Sequence, residues 1–107
     1  MNGDPEETVR DTGLEYASGR PVRVRVRRRG IRYDMDDLGG AVDGAARPLG
    51  WLETAERVVA EEGLNVNRQG RVFVQVVAGR DIDALARTVA DTSLAVYDAL
   101  LELDDQT

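Results

Sequence analysis

The sequence predicts an α+β domain of two layers: an antiparallel sheet of four or five strands, built on two β-hairpins, with two main helices. Three observations predict it. Val22, Val24 and Val26 alternate with Arg23, Arg25 and Arg27 at the two-residue period of a half-buried strand. A second valine-rich stretch, Val72 to Val77, follows a turn ending in Gly70. Residues 49–62 and 81–103 repeat apolar side chains at helical spacing. The predicted order is (α)(β)ββαββα, the parentheses marking an optional helix and strand ahead of the first hairpin. A chain of 107 residues, 42% apolar and 32% charged, has room for one hydrophobic core. With 5% aromatic residues, that core must be mainly aliphatic.

Residues 1–20 are rich in polar and turn-forming types and show little periodicity, so they are expected to be poorly ordered, with the single domain spanning residues 21–107. Within them, a short helix over 5–10 and a short strand over 14–17 are both readable, because proline suits a helix start and Leu14 and Tyr16 share a strand face. The first hairpin is clearer. A two-residue turn at Arg29-Gly30 pairs Val26 with Tyr33 and Val24 with Met35, setting Arg25 opposite Asp34 and Arg23 opposite Asp36.

The glycines of the next segment (Gly39, Gly40, Gly44, Gly50), with Pro48, predict a loop or a broken helical turn. A helix over 49–62 follows, with Trp51, Leu52, Ala55, Val58 and Val59 on its apolar side and Gly63 as its stop. In the second hairpin the loop Arg68-Gln69-Gly70 matches Leu64 and Val66 to Val74 and Val72. Phe73 and Val77 then point away from Val72, Val74 and Val76, which makes this strand central or leaves its far face to be covered.

The last helix starts at the N-cap Asp81 and runs to Leu103, roughly 33 Å. Ile82, Leu85, Val89, Thr92, Val96, Ala99 and Leu103 form one stripe. Ala86, Ala90, Leu94, Tyr97 and Leu101 form a second beside it, widening the apolar arc to about 220°. An arc that wide needs more than one neighbour. Leu94, Tyr97 and Leu101 are therefore the candidate surface for a second copy of the chain or another protein.

Charge is unevenly placed. Residues 20–33 hold seven arginines and no acid, a charge of +7, while the remainder carries −13. Arg27, Arg28, Arg29 and Arg32 have no local partner in the predicted pairing and form a candidate basic patch. Such a β-ribbon suits a nucleic-acid groove, although the net charge of −6 opposes docking on a polyanion. Asp34, Asp36 and Asp37 cluster, yet Asp37 falls on the opposite strand face, so an ion-pair ladder explains them better than a metal site. The GGAVDG segment lacks the spacing and the lysine of a phosphate loop and reads as a connector.

The chain contains no His, Cys or Lys. This removes imidazole bases, thiolate nucleophiles, Schiff bases and disulfides, and leaves a carboxylate-based enzyme as the one enzymatic alternative. No catalytic residue, metal or cofactor is expected. No signal-like segment or apolar run of membrane-crossing length is present, so a cytoplasmic protein is expected.

The runs GWLETAERVVAEEGLNVNRQGRVFVQVVAGRD and ADTSLAVYDALLEL resemble a group of small actinobacterial proteins over about residues 30–103. That group has no assigned activity, so the resemblance implies no site. The order of elements is also similar to the architecture of type III secretion chaperones and YbjN-like proteins, which implies a dimeric, partner-binding module. The expected function is protein–protein interaction, beginning with self-association, with nucleic-acid binding through the 20–33 hairpin as the alternative.

Overall fold

The computed structural model describes residues 6–77, 79 and 81–106. Its elements run β1 (Glu6–Glu15), β2 (Pro21–Arg29), β3 (Arg32–Asp36), α1 (Gly40–Ala45), α2 (Trp51–Glu61), β4 (Asn65–Val66), β5 (Val72–Val77) and α3 (Ile82–Asp105). The strands form one five-stranded antiparallel sheet in the order β1-β2-β3-β5-β4. The α+β class, the antiparallel sheet, both hairpins and both main helices are as the sequence predicts.

The N-terminal segment departs from expectation. Residues 6–15 form a strand along β2 rather than a helix or a loose tail, and Pro5 and the residues before it lie outside the described residues. The cause is charge. Along β1, Glu7 pairs in register with Arg27 and Asp11 with Arg23, so this polar strand supplies the acids that β2 lacks on its exposed side. The register breaks after Asp11, where Gly13 sits at φ 76° and the Asp11 carboxylate accepts from its N–H.

The β2–β3 register also differs from expectation. Arg29 pairs with Arg32, so the turn residues are Gly30-Ile31, and Arg25 faces Asp36 while Arg27 faces Asp34. A turn at Arg29-Gly30 would require Arg29 as the first central residue, where both tight hairpin types need positive φ. Placing Gly30 first, at φ 61°, meets the demand of a type II′ turn without strain. The shift is of two residues, so every side chain keeps its predicted face. The segment expected as a loop or broken turn contains the six-residue α1.

All three helices pack on one sheet face. The core joins Val22, Val24, Val26, Met35, Val72 and Val74 to Ala41, Val42, Ala55, Val59, Val89, Val96 and Leu100. Helix α3 touches β1, β2, β3, β5, α1 and α2, so much of its broad apolar arc is covered within the chain, with Leu94 and Leu101 half-buried. It runs in the same direction as β1: Arg10 contacts Asp83 and Tyr16 reaches Ser93. The sheet end carrying Gly30 and Ile31 therefore lies about 13 Å ahead of the helix start, four residues beyond Arg10 along β1. This offset accounts for the elongated shape, 51 × 25 × 24 Å.

Candidate functional site

Two groups of polar residues stand out, one inside the fold and one on its surface. Inside, Asp37 is 1% exposed at the end of β3. Its Oδ1 accepts from the Gly39 and Val72 N–H groups at 2.9 and 3.0 Å, and its Oδ2 accepts from the Ser93 hydroxyl at 2.6 Å. Ser93 has one proton and gives it to Asp37, so the Tyr16 hydroxyl, 2.7 Å away, donates to Ser93. Burial raises the Asp37 carboxyl above its ordinary value against the pull of these hydrogen bonds. Burial also pushes the Tyr16 phenol up to about 12, with the Asp37 charge adding to the rise. The chain of donors and acceptors ties the β1–β2 turn, α3, the turn after β3 and the start of β5 together. Every oxygen of the relay is spoken for by the protein itself, which makes it a structural bolt.

On the uncovered sheet face the arginines of β2 meet acids on both sides. Arg25 donates through Nε and a terminal nitrogen to the Asp36 carboxylate at 3.0 and 2.8 Å, a largely buried pair. Arg27 donates to Glu7 at 2.7 Å, which holds the Glu7 carboxyl below its usual range. Of the predicted basic patch, Arg27 thus has a partner that only the folding of β1 reveals. Arg28 lies over the Tyr33 ring at 5.9 Å, on the helix side of the sheet. Arg29 and Arg32 stand directly opposite each other and share Asp34, with Nε–oxygen distances of 3.5 and 3.4 Å. These are ion pairs too long and misaligned for hydrogen bonds, and Asp34 Oδ1 is buried without a hydrogen-bond donor.

The three clustered aspartates are separated accordingly: Asp34 to Arg29 and Arg32, Asp36 to Arg25, Asp37 to the interior. Among the described residues no group of three or more acids is placed to hold a metal ion.

Aliphatic side chains gather beside the Arg29–Arg32 pair. Ile31, in the turn, is 74% exposed, and Val77, which pairs with Arg32, is 58% exposed. The predicted helix surface is placed differently. Tyr97 is 5% exposed and lies tilted at 43° against Tyr16 with ring centroids 5.1 Å apart, while Leu94 and Leu101 are half-buried against the core. Sequence reading treated Tyr97 as surplus because it could not know that β1, its turn and α1 would close over that side of α3. It passed over Ile31 because an apolar residue in an alternating strand reads as core until the turn is placed.

No protein-family profile matches the chain, and no curated protein or solved structure is significantly similar to it. No helix among the described residues is long and apolar enough to cross a membrane. The surface geometry therefore carries the functional argument.

Proposed function

We propose that this protein is a small non-enzymatic interaction module that docks a partner protein on the open end of its sheet, formed by the Gly30-Ile31 turn and the end of β5. One observation carries the reading: Ile31 and Val77, two of the most exposed large apolar side chains, sit beside Arg29 and Arg32 on a chain whose net charge is −6. Scattered exposed aliphatics need no explanation, but a pair of them set among arginines at an end the helices do not reach matches the apolar centre and charged rim of a protein interface.

The nucleic-acid alternative fits this end less well. Four adjacent strands reach it, about 14 Å from β1 to β5 between backbones, wider than the roughly 12 Å major groove that admits a two-stranded ribbon. Its arginines are also interleaved with Glu7, Asp34 and Asp36, which a polyanion would have to displace. Self-association through a two-fold axis would set the arginines of this end against their own copies, so the favoured partner is a different protein.

A photo-crosslinking side chain placed at Ile31 in the full chain, in cells that express it, tests the proposal. The expected result is a defined protein adduct that is lost when Arg29 and Arg32 are both changed to Glu, and that is absent when the crosslinker replaces the exposed Ala95 on α3. Adducts sensitive to nuclease, or equal labelling from both positions, would contradict the reading.

A further inference from the structure

Arg29 and Arg32 are an unusual pair to place across a hairpin. Like charges directly opposite on neighbouring strands repel, and nothing in the hairpin's register requires arginine at both positions. Between them the two guanidiniums offer ten N–H donors, and both side chains are about half exposed. Among the described residues the one carboxylate paired with them is Asp34, held at ion-pair distance from each without a hydrogen bond to either. The three side chains together carry +2 against −1, and each guanidinium stands on a side chain about half open to solvent.

Contrast this with the neighbours on the same face. Arg25 is closed by a two-point contact with Asp36, and Arg27 by a short bond to Glu7, so both are satisfied within the chain. The under-satisfied pair is the one beside the exposed Ile31 and Val77. A guanidinium pair short of one carboxylate, next to two aliphatic side chains, is complementary to a segment that presents an acid beside apolar residues.

Resting on the docking reading above, we propose that Arg29 and Arg32 form a carboxylate clamp for a glutamate or aspartate of an acidic amphipathic segment of the partner protein, whose apolar residues cover Ile31 and Val77. The partner's carboxylate completes the charge balance that Asp34 leaves open. Inorganic phosphate would meet the charge requirement and leave the aliphatic pair bare; a peptide meets both.

The test uses the purified full chain and two synthetic peptides of identical length and leucine positions, one built on glutamate and one on glutamine. Binding is read by fluorescence anisotropy at about 0.15 M salt, where weak long-range attraction is screened. The glutamate peptide should bind at least about tenfold more tightly than the glutamine peptide. Arg29→Gln with Arg32→Gln should remove that preference, and Arg29→Lys should retain part of it, because a point charge lacks the two-pronged geometry. Circular dichroism and urea unfolding of each variant establish that it is folded before its affinity is read.

Equal binding of both peptides, still dependent on Ile31, would overturn the clamp while leaving the docking end in place. Binding insensitive to Ile31 as well as to both arginines would overturn the clamp and the docking reading together. Competition by inorganic phosphate at equal strength, or tighter Ile31-dependent binding to phosphatidylglycerol vesicles than to the peptide, would likewise overturn the assignment of a peptide carboxylate.

Discussion

Ser93, in the middle of α3, gives its hydroxyl proton to the carboxylate of Asp37, buried at the end of β3, across 2.6 Å. The same carboxylate receives the Gly39 and Val72 N–H groups, so one side chain fixes the start of the helical layer relative to two strands. Removing it leaves three buried donors without an acceptor. Asp37→Ala should destabilise the fold by about 2–4 kcal/mol in urea unfolding, whereas Asp37→Asn keeps an acceptor for the two N–H groups and should cost much less.

The pH dependence of that difference has a definite sign. Burial raises the Asp37 carboxyl above its ordinary 3.8, so the folded chain holds this proton more tightly than the unfolded chain does. Its stabilising contribution is complete below pH 3.8 and is lost as pH rises through the folded value. Asn carries no such proton. Unfolding midpoints should therefore shift in favour of Asp37→Asn relative to the wild type as pH rises from 3.8 through the folded value; a difference that stays constant with pH would contradict this.

At the other end of the relay, Tyr16 should ionise near pH 12 in an absorbance titration. Because its folded value lies above the unfolded 10, its contribution is whole below pH 10 and is lost between there and 12. Tyr16→Phe should cost about 1 kcal/mol at neutral pH and remove this alkaline step.

Gly40 is fixed by space rather than by backbone angle. A Cβ at this position would stand 2.6 Å from the Tyr16 hydroxyl oxygen and 3.2 Å from two ring carbons. Gly40→Ala should cost about 1–3 kcal/mol, part of which returns in the Tyr16→Phe background, where the nearest atom is gone. Additive costs in that double-mutant cycle would count against the contact.

The exposed turn should behave oppositely. Ile31 touches little of the core, so Ile31→Ser should leave stability within about 0.5 kcal/mol of the wild type while weakening partner binding. A large loss of stability would mean that Ile31 serves the fold instead.

How much of this was legible in the sequence follows from what each element depends on. Alternating valine and arginine in β2 and the apolar spacing of α3 are local patterns, and both elements appear where they were expected. Strand β1 was hidden because its side chains are mostly polar; its reason to be a strand is the row of arginines on β2, a tertiary partner that composition alone cannot supply. The hairpin register turned on whether Gly30 takes the first or the second turn position, a choice that backbone strain makes and hydrophobic alternation does not. Arg27 looked unpaired because Glu7 is twenty residues away. Asp37 was placed on the inner face by parity, yet its partner Ser93 sits among apolar positions of α3, where a lone serine passes for filler.

Mapping backbone amide shifts while the glutamate peptide is titrated into the labelled chain reads out whether the open end of the sheet is where a partner docks. Shifts should concentrate at residues 28–33 and 76–77, with Leu94 and Leu101 unmoved. Shifts centred on α3, or spread evenly over the acidic and basic surfaces alike, would contradict it.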